Sequence, residues 1–188
     1  MAGHAEVEQR YRLLFERYWR RVRAYALRRC LDVSAADDAV AETFLVAWRR
    51  IAEIPVDNEL AWLLGVARRV LSNTRRGDAR RDKLLARLRQ SAARDTVDIA
   101  ELTVDASATA AEVRAAVGRL RAGDAEVLQL AAWEELSHAE IALVLETTPN
   151  AVGIRLYRAR QRLAEELGRG LVTTVDTPMP ERPHQPEP

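Results

Sequence analysis

The chain has 188 residues, 48% of them hydrophobic and 30% charged, with 29 Lys and Arg against 28 Asp and Glu. That length fits one medium domain or two small ones, and the apolar content suffices for globular cores. No apolar run approaches the roughly 20 residues of a bilayer-spanning helix, and Met1–Arg12 is charged, unlike a secretory leader, so no membrane insertion and a cytoplasmic location are expected.

A single cysteine, Cys30, excludes an internal disulfide and a multi-cysteine zinc site, leaving helix packing or a redox switch as its role. His4, His138 and His184 are scattered, and neither a Gly-rich phosphate loop nor a Gly-x-Ser-x-Gly turn is present. No metal, no cofactor and no catalytic residues are therefore expected. All basic residues but Lys83 are arginines. Arginine forks phosphates and guanine edges, which suits nucleic acid, but a GC-rich coding sequence produces the same bias.

Strand-type alternation is nearly absent, and helical spacing recurs along the chain. Tyr11, Leu14, Phe15, Tyr18, Val22 and Tyr25 form one stripe at steps of three and four. A second helix is expected from Ser34, where Ser-x-x-Asp37 resembles a capping box, through Val40, Phe44, Ala47 and Ile51. Ile54–Asn58, with Pro55, reads as a loop. A third helix, carrying Leu63, Val66, Ala67 and Val70 on one face, is expected to fade at Arg75-Arg76-Gly77. Residues 79–108 read as a flexible linker, although Leu84, Leu85 and Leu88 allow a helical extension. Periodicity returns at Val113, Ala116, Val117 and Leu120, is punctuated by Gly123-Asp124, and continues through Val127, Leu128 and Leu130.

Ser137-His138-Ala139-Glu140 is a capping box opening a short helix with Ile141, Ala142 and Leu145. Thr148-Pro149 then reads as N-cap and first-turn proline of a helix expected to end at Gly168 and Gly170. The proline-rich stretch 169–188 is expected to be a disordered tail. A short helix, a turn and a longer helix make a helix-turn-helix. Val152, Leu156, Ala159 and Leu163 share the inner face of the second helix, and Arg155, Arg158 and Arg162 share another. That division suits a recognition helix in a DNA groove, and equally a solvated arginine face on a bundle.

The run Leu136-Ser137-His138-Ala139-Glu140-Ile141-Ala142, followed by Ala151-Val152-Gly153-Ile154-Arg155-Leu156-Tyr157-Arg158-Ala159-Arg160, resembles region 4 of extracytoplasmic-function (ECF) sigma factors. Independently, Ala36-Asp37-Asp38-Ala39-Val40-Ala41-Glu42-Thr43-Phe44-Leu45-Val46-Ala47-Trp48-Arg49 resembles region 2 of that family. Ala61-Trp62-Leu63-Leu64-Gly65-Val66-Ala67-Arg68 resembles the segment that follows it. The resemblance covers residues 8–78 and 109–168 and excludes the linker and tail. It implies an all-α fold of two small helical domains: 1–78 for polymerase binding, −10 recognition and melting, and 109–168 for −35 recognition.

The same resemblance implies residue roles. Asp37, Asp38 and Glu42 would dock on the clamp helices of the polymerase's largest subunit, with Phe44 and Trp48 packing the core. The alternative reading of these acids is N-terminal charge complementing the helix dipole, a role Asp37 is expected to fill as well. Ala41 stands where the family usually has glutamine. The loop residues Asp57, Asn58 and Glu59, with Trp62, Arg68, Arg69, Asn73 and Arg76 on the helix, would meet the −10 element, where the family's loop holds an unstacked base. Trp62 serves equally well as a core residue, and Arg69 stands where many members have asparagine. Asn150, Ala151, Gly153, Ile154, Arg155 and Arg158 would read the −35 element while the domain sits on the polymerase flap. Gly153 and Ile154 replace residues often basic and hydroxylated, which shifts readout toward Arg155 and DNA shape.

Residues 109–168 hold seven arginines and nine acids, a net of −2, so DNA affinity is expected to come mainly through the polymerase. The partners implied are core RNA polymerase, promoter DNA and an anti-sigma factor. A stand-alone helix-turn-helix regulator explains residues 124–167 but leaves both region 2 signatures unexplained. A non-enzymatic transcription factor is the class expected.

Overall fold

The computed structural model describes residues 3–30, 32–88 and 108–175, with side chains described for 3–30, 32–74 and 111–168. Every regular element among them is helical. Helix α1 spans His4–Leu27 and opens with the Glu6 carboxylate accepting the Gly3 amide at 3.0 Å. Its expected stripe splits by burial. Leu14, Val22 and Tyr25 are buried, Tyr11 and Tyr18 half-buried, and Phe15 is 40% exposed.

Helix α2 spans Val33–Arg49 and is capped by Asp32, whose side chain accepts the Ala35 amide at 2.7 Å. The expected box at Ser34 does not form, because Ser34 already lies in the first turn and Asp37 is drawn to Arg23. An acceptor two residues earlier satisfies the orphan amides first. The segment after α2 is two short 3₁₀ turns, Ile51–Glu53 and Val56–Asn58, pinned where Arg10 donates to the Ile54 carbonyl at 2.5 Å.

Helix α3 spans Glu59–Leu88 and runs past the expected stop at Arg75-Arg76-Gly77. A lone glycine in a helix costs only about 1 kcal/mol relative to alanine, which good formers on either side offset. The first ten residues assigned to the linker are thus helical, and residues 89–107 lie outside the described ones. Helices α4 (Ala108–Arg119) and α5 (Ala122–Ala132) are parted at Leu120 and Arg121, so Gly123 and Asp124 fall in the first turn of α5.

Helix α6 (His138–Leu145) has the expected box: Glu140 accepts from the Ser137 amide at 2.8 Å and Ser137 Oγ accepts from the Glu140 amide at 3.3 Å. Helix α7 spans Pro149–Val175, with Thr148 Oγ1 accepting the Ala151 amide at 3.2 Å. It passes through Gly168 and Gly170 instead of ending there. Residues 169–175, expected to belong to a disordered tail, are thus helical, and the rest of the expected tail, residues 176–188, lies outside the described residues.

Helices α1, α2 and α3 pack together, as do α4, α5 and α6 on α7, and α3 also packs along α6. One apolar cluster runs through both groups, from Leu14, Tyr25, Phe44 and Leu63 to Leu130, Ile141, Val144 and Leu156. Phe44 is buried as expected, but Trp48 is not a core residue. It is 36% exposed and meets Tyr11 edge-on, with ring centroids 5.0 Å apart. Cys30 packs half-buried against the cluster.

Candidate nucleic-acid interface

Three exposed surfaces carry the residues singled out from the sequence. On α2 the spacing of Asp38 and Glu42 places both acids on one exposed face, beside Leu45, which is 42% exposed. Asp37 is exposed too, but its carboxylate is forked by Arg23, with Nε at 2.6 Å and Nη2 at 3.3 Å. That hydrogen bond, more than the charge itself, holds the Asp37 carboxyl below its usual range. Asp37 therefore joins α2 to α1, whereas Asp38 and Glu42 face outward.

The loop surface contains Asp57, exposed, and Asn58 and Glu59, half-buried. They border a cleft of about 310 Å³ whose opposite wall is Arg17, Tyr18 and Arg21 of α1. Leu60 and Glu140 complete its lining. Trp62 packs half-buried against the core, and the Arg50 guanidinium lies 5.8 Å from its ring centroid. Further along α3, Asn73 is exposed, and the Arg76 side chain lies outside the described residues.

The two arginines between them are engaged by the second group of helices. Arg68 forks Glu126 of α5 at 2.8 and 3.2 Å, and Arg69 pairs with Glu146 at 3.1 Å. Gly65 lies so close to α6 that a Cβ there would sit 3.7 Å from Val144 Cα. A third tie joins α1 to the α5–α6 turn. Glu134, 2% exposed, accepts from Arg28 at 2.5 Å and lies 3.8 Å from Arg29, while its carbonyl accepts from Arg21 at 2.6 Å. Burial lowers the Arg29 guanidinium pKa, opposed by the charges of Tyr25 and Glu134.

On α7 the two faces separate as the spacing requires. Val152, Leu156 and Ala159 are buried, Leu163 is half-buried, and Asn150, Ala151, Ile154, Arg155 and Arg158 are exposed. Gly153 is half-buried because the His138 ring sits against it, 3.7 Å from where a Cβ would be. Ile154 and Tyr157, 47% and 65% exposed, add apolar surface beside the arginines. Arg162 departs from the expected row: it reaches back to Asp124, which is 8% exposed.

The cross-group partners Glu126, Glu134 and Glu146 carry no local signal in the sequence. Arg28 and Glu134 are 106 residues apart, and no local spacing encodes such a pair. Tyr18 was visible only as part of the α1 stripe, although its place at the stripe's half-buried edge puts it beside the loop. Among the described residues no helix is long and apolar enough to cross a membrane, and no cluster of ligating side chains could hold a metal ion.

Comparison with known proteins follows the same two groups. Residues 14–81 match the family model of sigma-70 region 2, and residues 110–163 match that of sigma-70 region 4. The RNA polymerase sigma factor NccH of Alcaligenes xylosoxydans xylosoxydans is 29% identical over 133 residues, covering 69% of this chain and 72% of that protein. The RNA polymerase sigma factor YlaC of Bacillus subtilis (strain 168) is 24% identical over 155 residues, covering 82% of this chain and 90% of that protein. Among solved structures, sigma factor RpoE in complex with the anti-sigma factor NepR from Bartonella quintana superposes with a TM-score of 0.63 at 21% identity. That match covers 86% of this chain and 96% of RpoE. CnrH, solved with the cytosolic domain of CnrY, superposes with a TM-score of 0.56 at 24% identity, covering 94% of this chain and 92% of CnrH.

Proposed function

The chain belongs to the sigma-70 family, in its extracytoplasmic-function group, and from this premise we propose how its surfaces divide the work of an RNA polymerase sigma factor. Such a factor binds core polymerase, directs it to promoters and helps open them. In this chain Asp38 and Glu42 dock on the clamp helices of the largest subunit, with Asp37 bracing the face from Arg23. The loop Asp57–Glu59 and the α3 residues Trp62, Arg68, Arg69, Asn73 and Arg76 receive the −10 strand.

Asn150, Ala151, Gly153, Ile154, Arg155 and Arg158 meet the −35 duplex, while region 4 rests on the flap. The observation that supports this division best is on α7, where Arg155 and Arg158 are exposed and the apolar row Val152, Leu156, Ala159 is buried. A helix seated on one side and basic on the other can enter a major groove.

RNA synthesis belongs to the polymerase, and this chain contributes no catalytic group, so it acts in the cytoplasm where the polymerase works. An anti-sigma factor is a fitting further partner, because RpoE of Bartonella quintana was solved with one.

Run-off transcription with core polymerase tests the reading. Wild-type protein should support promoter-specific transcripts and be retained by core enzyme in a pull-down. Asp38→Lys with Glu42→Lys should lose both while keeping its helical content. A folded wild-type chain that core polymerase does not retain would refute the assignment.

A further inference from the structure

The cleft between α1 and the loop holds residues that the family resemblance does not assign. Arg17 and Tyr18 line one wall, and Asp57, Asn58 and Glu59 the other. Glu59, at the start of α3, lines the cleft beside Tyr18, and burial, with the nearby Glu59 carboxylate adding to it, raises the Tyr18 phenol pKa. The Arg17 guanidinium lies 5.2 Å from the Tyr18 ring centroid. A planar cation on a half-buried ring marks a face open to other flat groups, and nucleic-acid bases stack on tyrosine rings and guanidinium planes alike.

Arg21, on the same wall, donates to the Glu134 carbonyl, and Glu140 is committed to its capping box. Arg17, exposed at the rim, makes no ion pair among the described residues.

We propose that Arg17 and Tyr18 of α1 form the second wall of the pocket that takes an unpaired −10 nucleotide. Tyr18 stacks on the base, and Arg17 moves from the ring to the nucleotide's phosphate. This rests on the loop reading above and extends it to α1. The cleft combines an aromatic face, a cation at the rim and polar acceptors opposite, the set that captures single strands. Pairing is lost when the duplex opens, and stacking on Tyr18 replaces part of the stacking the base gives up.

The test uses holoenzyme assembled with Arg17→Ala, Tyr18→Leu, Tyr18→Phe or Asn58→Ala. The probe is a single-stranded oligonucleotide selected by wild-type holoenzyme from a randomised library, and copies of it carrying one abasic site at each position in turn. Tyr18→Leu should weaken capture about tenfold, as expected for loss of an aromatic stacking platform, and Tyr18→Phe should stay within about twofold of wild type. Arg17→Ala should weaken capture and lower the salt dependence by roughly one phosphate contact. At one abasic position the difference between Tyr18→Leu and wild type should vanish.

If Arg17→Ala and Tyr18→Leu capture the probe like wild type while Asn58→Ala fails, the α1 wall is wrong and the loop reading stands. If Asn58→Ala also captures it normally, both fall. A Tyr18→Leu defect that persists at every abasic position means the ring acts through the fold, which overturns the proposal. Should Tyr18→Leu not fold, wild-type capture by Arg17→Ala overturns it alone.

Discussion

Tyr25 is fully buried in the centre of the molecule, and its hydroxyl has no hydrogen-bond partner. A buried hydroxyl left unpaired costs about 1–3 kcal/mol. What retains the ring is packing on the core and the Arg29 guanidinium, 3.7 Å from its centroid. Burial is also the main reason its phenol pKa rises above 10.0. The unfolded chain then loses that proton at a lower pH than the folded one. The resulting contribution to stability is complete below the unfolded value and is lost as pH rises through the folded one.

Tyr25→Phe keeps the ring and the cation contact and removes the hydroxyl. It should stabilise the protein by about 1 kcal/mol near neutral pH, and its advantage should widen above pH 10 in urea unfolding series. A variant less stable than wild type would show that the hydroxyl is satisfied. Asp37 behaves in the opposite sense. Its carboxyl pKa is lowered by Arg23, so its contribution holds above the unfolded carboxylate value and fades as pH falls through the folded one. Exposure keeps that effect small.

Helix α7 separates two kinds of arginine on one element. Arg155 and Arg158 face solvent, whereas Arg162 ties α7 to the nearly buried Asp124 of α5. Arg155→Ala or Arg158→Ala should cost about 1–3 kcal/mol in holoenzyme binding to a −35-containing duplex while leaving the melting temperature unchanged. Arg162→Ala should do the reverse, lowering the melting temperature because a buried carboxylate loses its partner. Equal DNA defects from all three would mean that the row acts only as a field of charge.

The same helix shows what the sequence makes legible. Its start is legible because Thr148-Pro149 is a local device complete within four residues, as is the Ser137–Glu140 box that opens α6. Its buried row was readable because apolar spacing has one period. Its end was not, since Gly168 and Gly170 break a helix only when neighbouring propensities are weak, and α7 continues to Val175. Arg162 looked like its neighbours because its partner lies 38 residues away. The acidic face of α2 was legible as a row, but the bond that removes Asp37 from it comes from α1.

At the scale of the whole molecule, the two helical groups close on the surface proposed to receive the −10 strand. Arg68 and Arg69 of α3 are held by Glu126 and Glu146, and α6 lies against Gly65. While these contacts persist, neither arginine is available to a DNA strand, so the free chain should bind promoter DNA weakly and the holoenzyme specifically. The contacts differ in strength. Arg69 and Glu146 are largely exposed, and a pair of that kind contributes about 0.2–1 kcal/mol. Glu134 is 2% exposed and faces Arg28 and Arg29, and removing one partner of a buried pair costs about 3–5 kcal/mol.

Glu134→Ala should therefore loosen the two groups far more than Glu146→Ala. The radius of gyration from small-angle X-ray scattering should rise with little change in helical circular dichroism. Gly65→Leu offers an independent route: its Cβ would already be in van der Waals contact with Val144 Cα at 3.7 Å, so the branched atoms beyond it should push α6 away. Both variants should gain affinity for single-stranded −10 DNA in the absence of core polymerase. If Glu134→Ala and Gly65→Leu open the molecule in scattering yet bind the strand no better than wild type, closure does not control access to Arg68 and Arg69. The weak binding of the free chain would then have to come from the net negative charge of residues 109–168, which reversing exposed acids there would test.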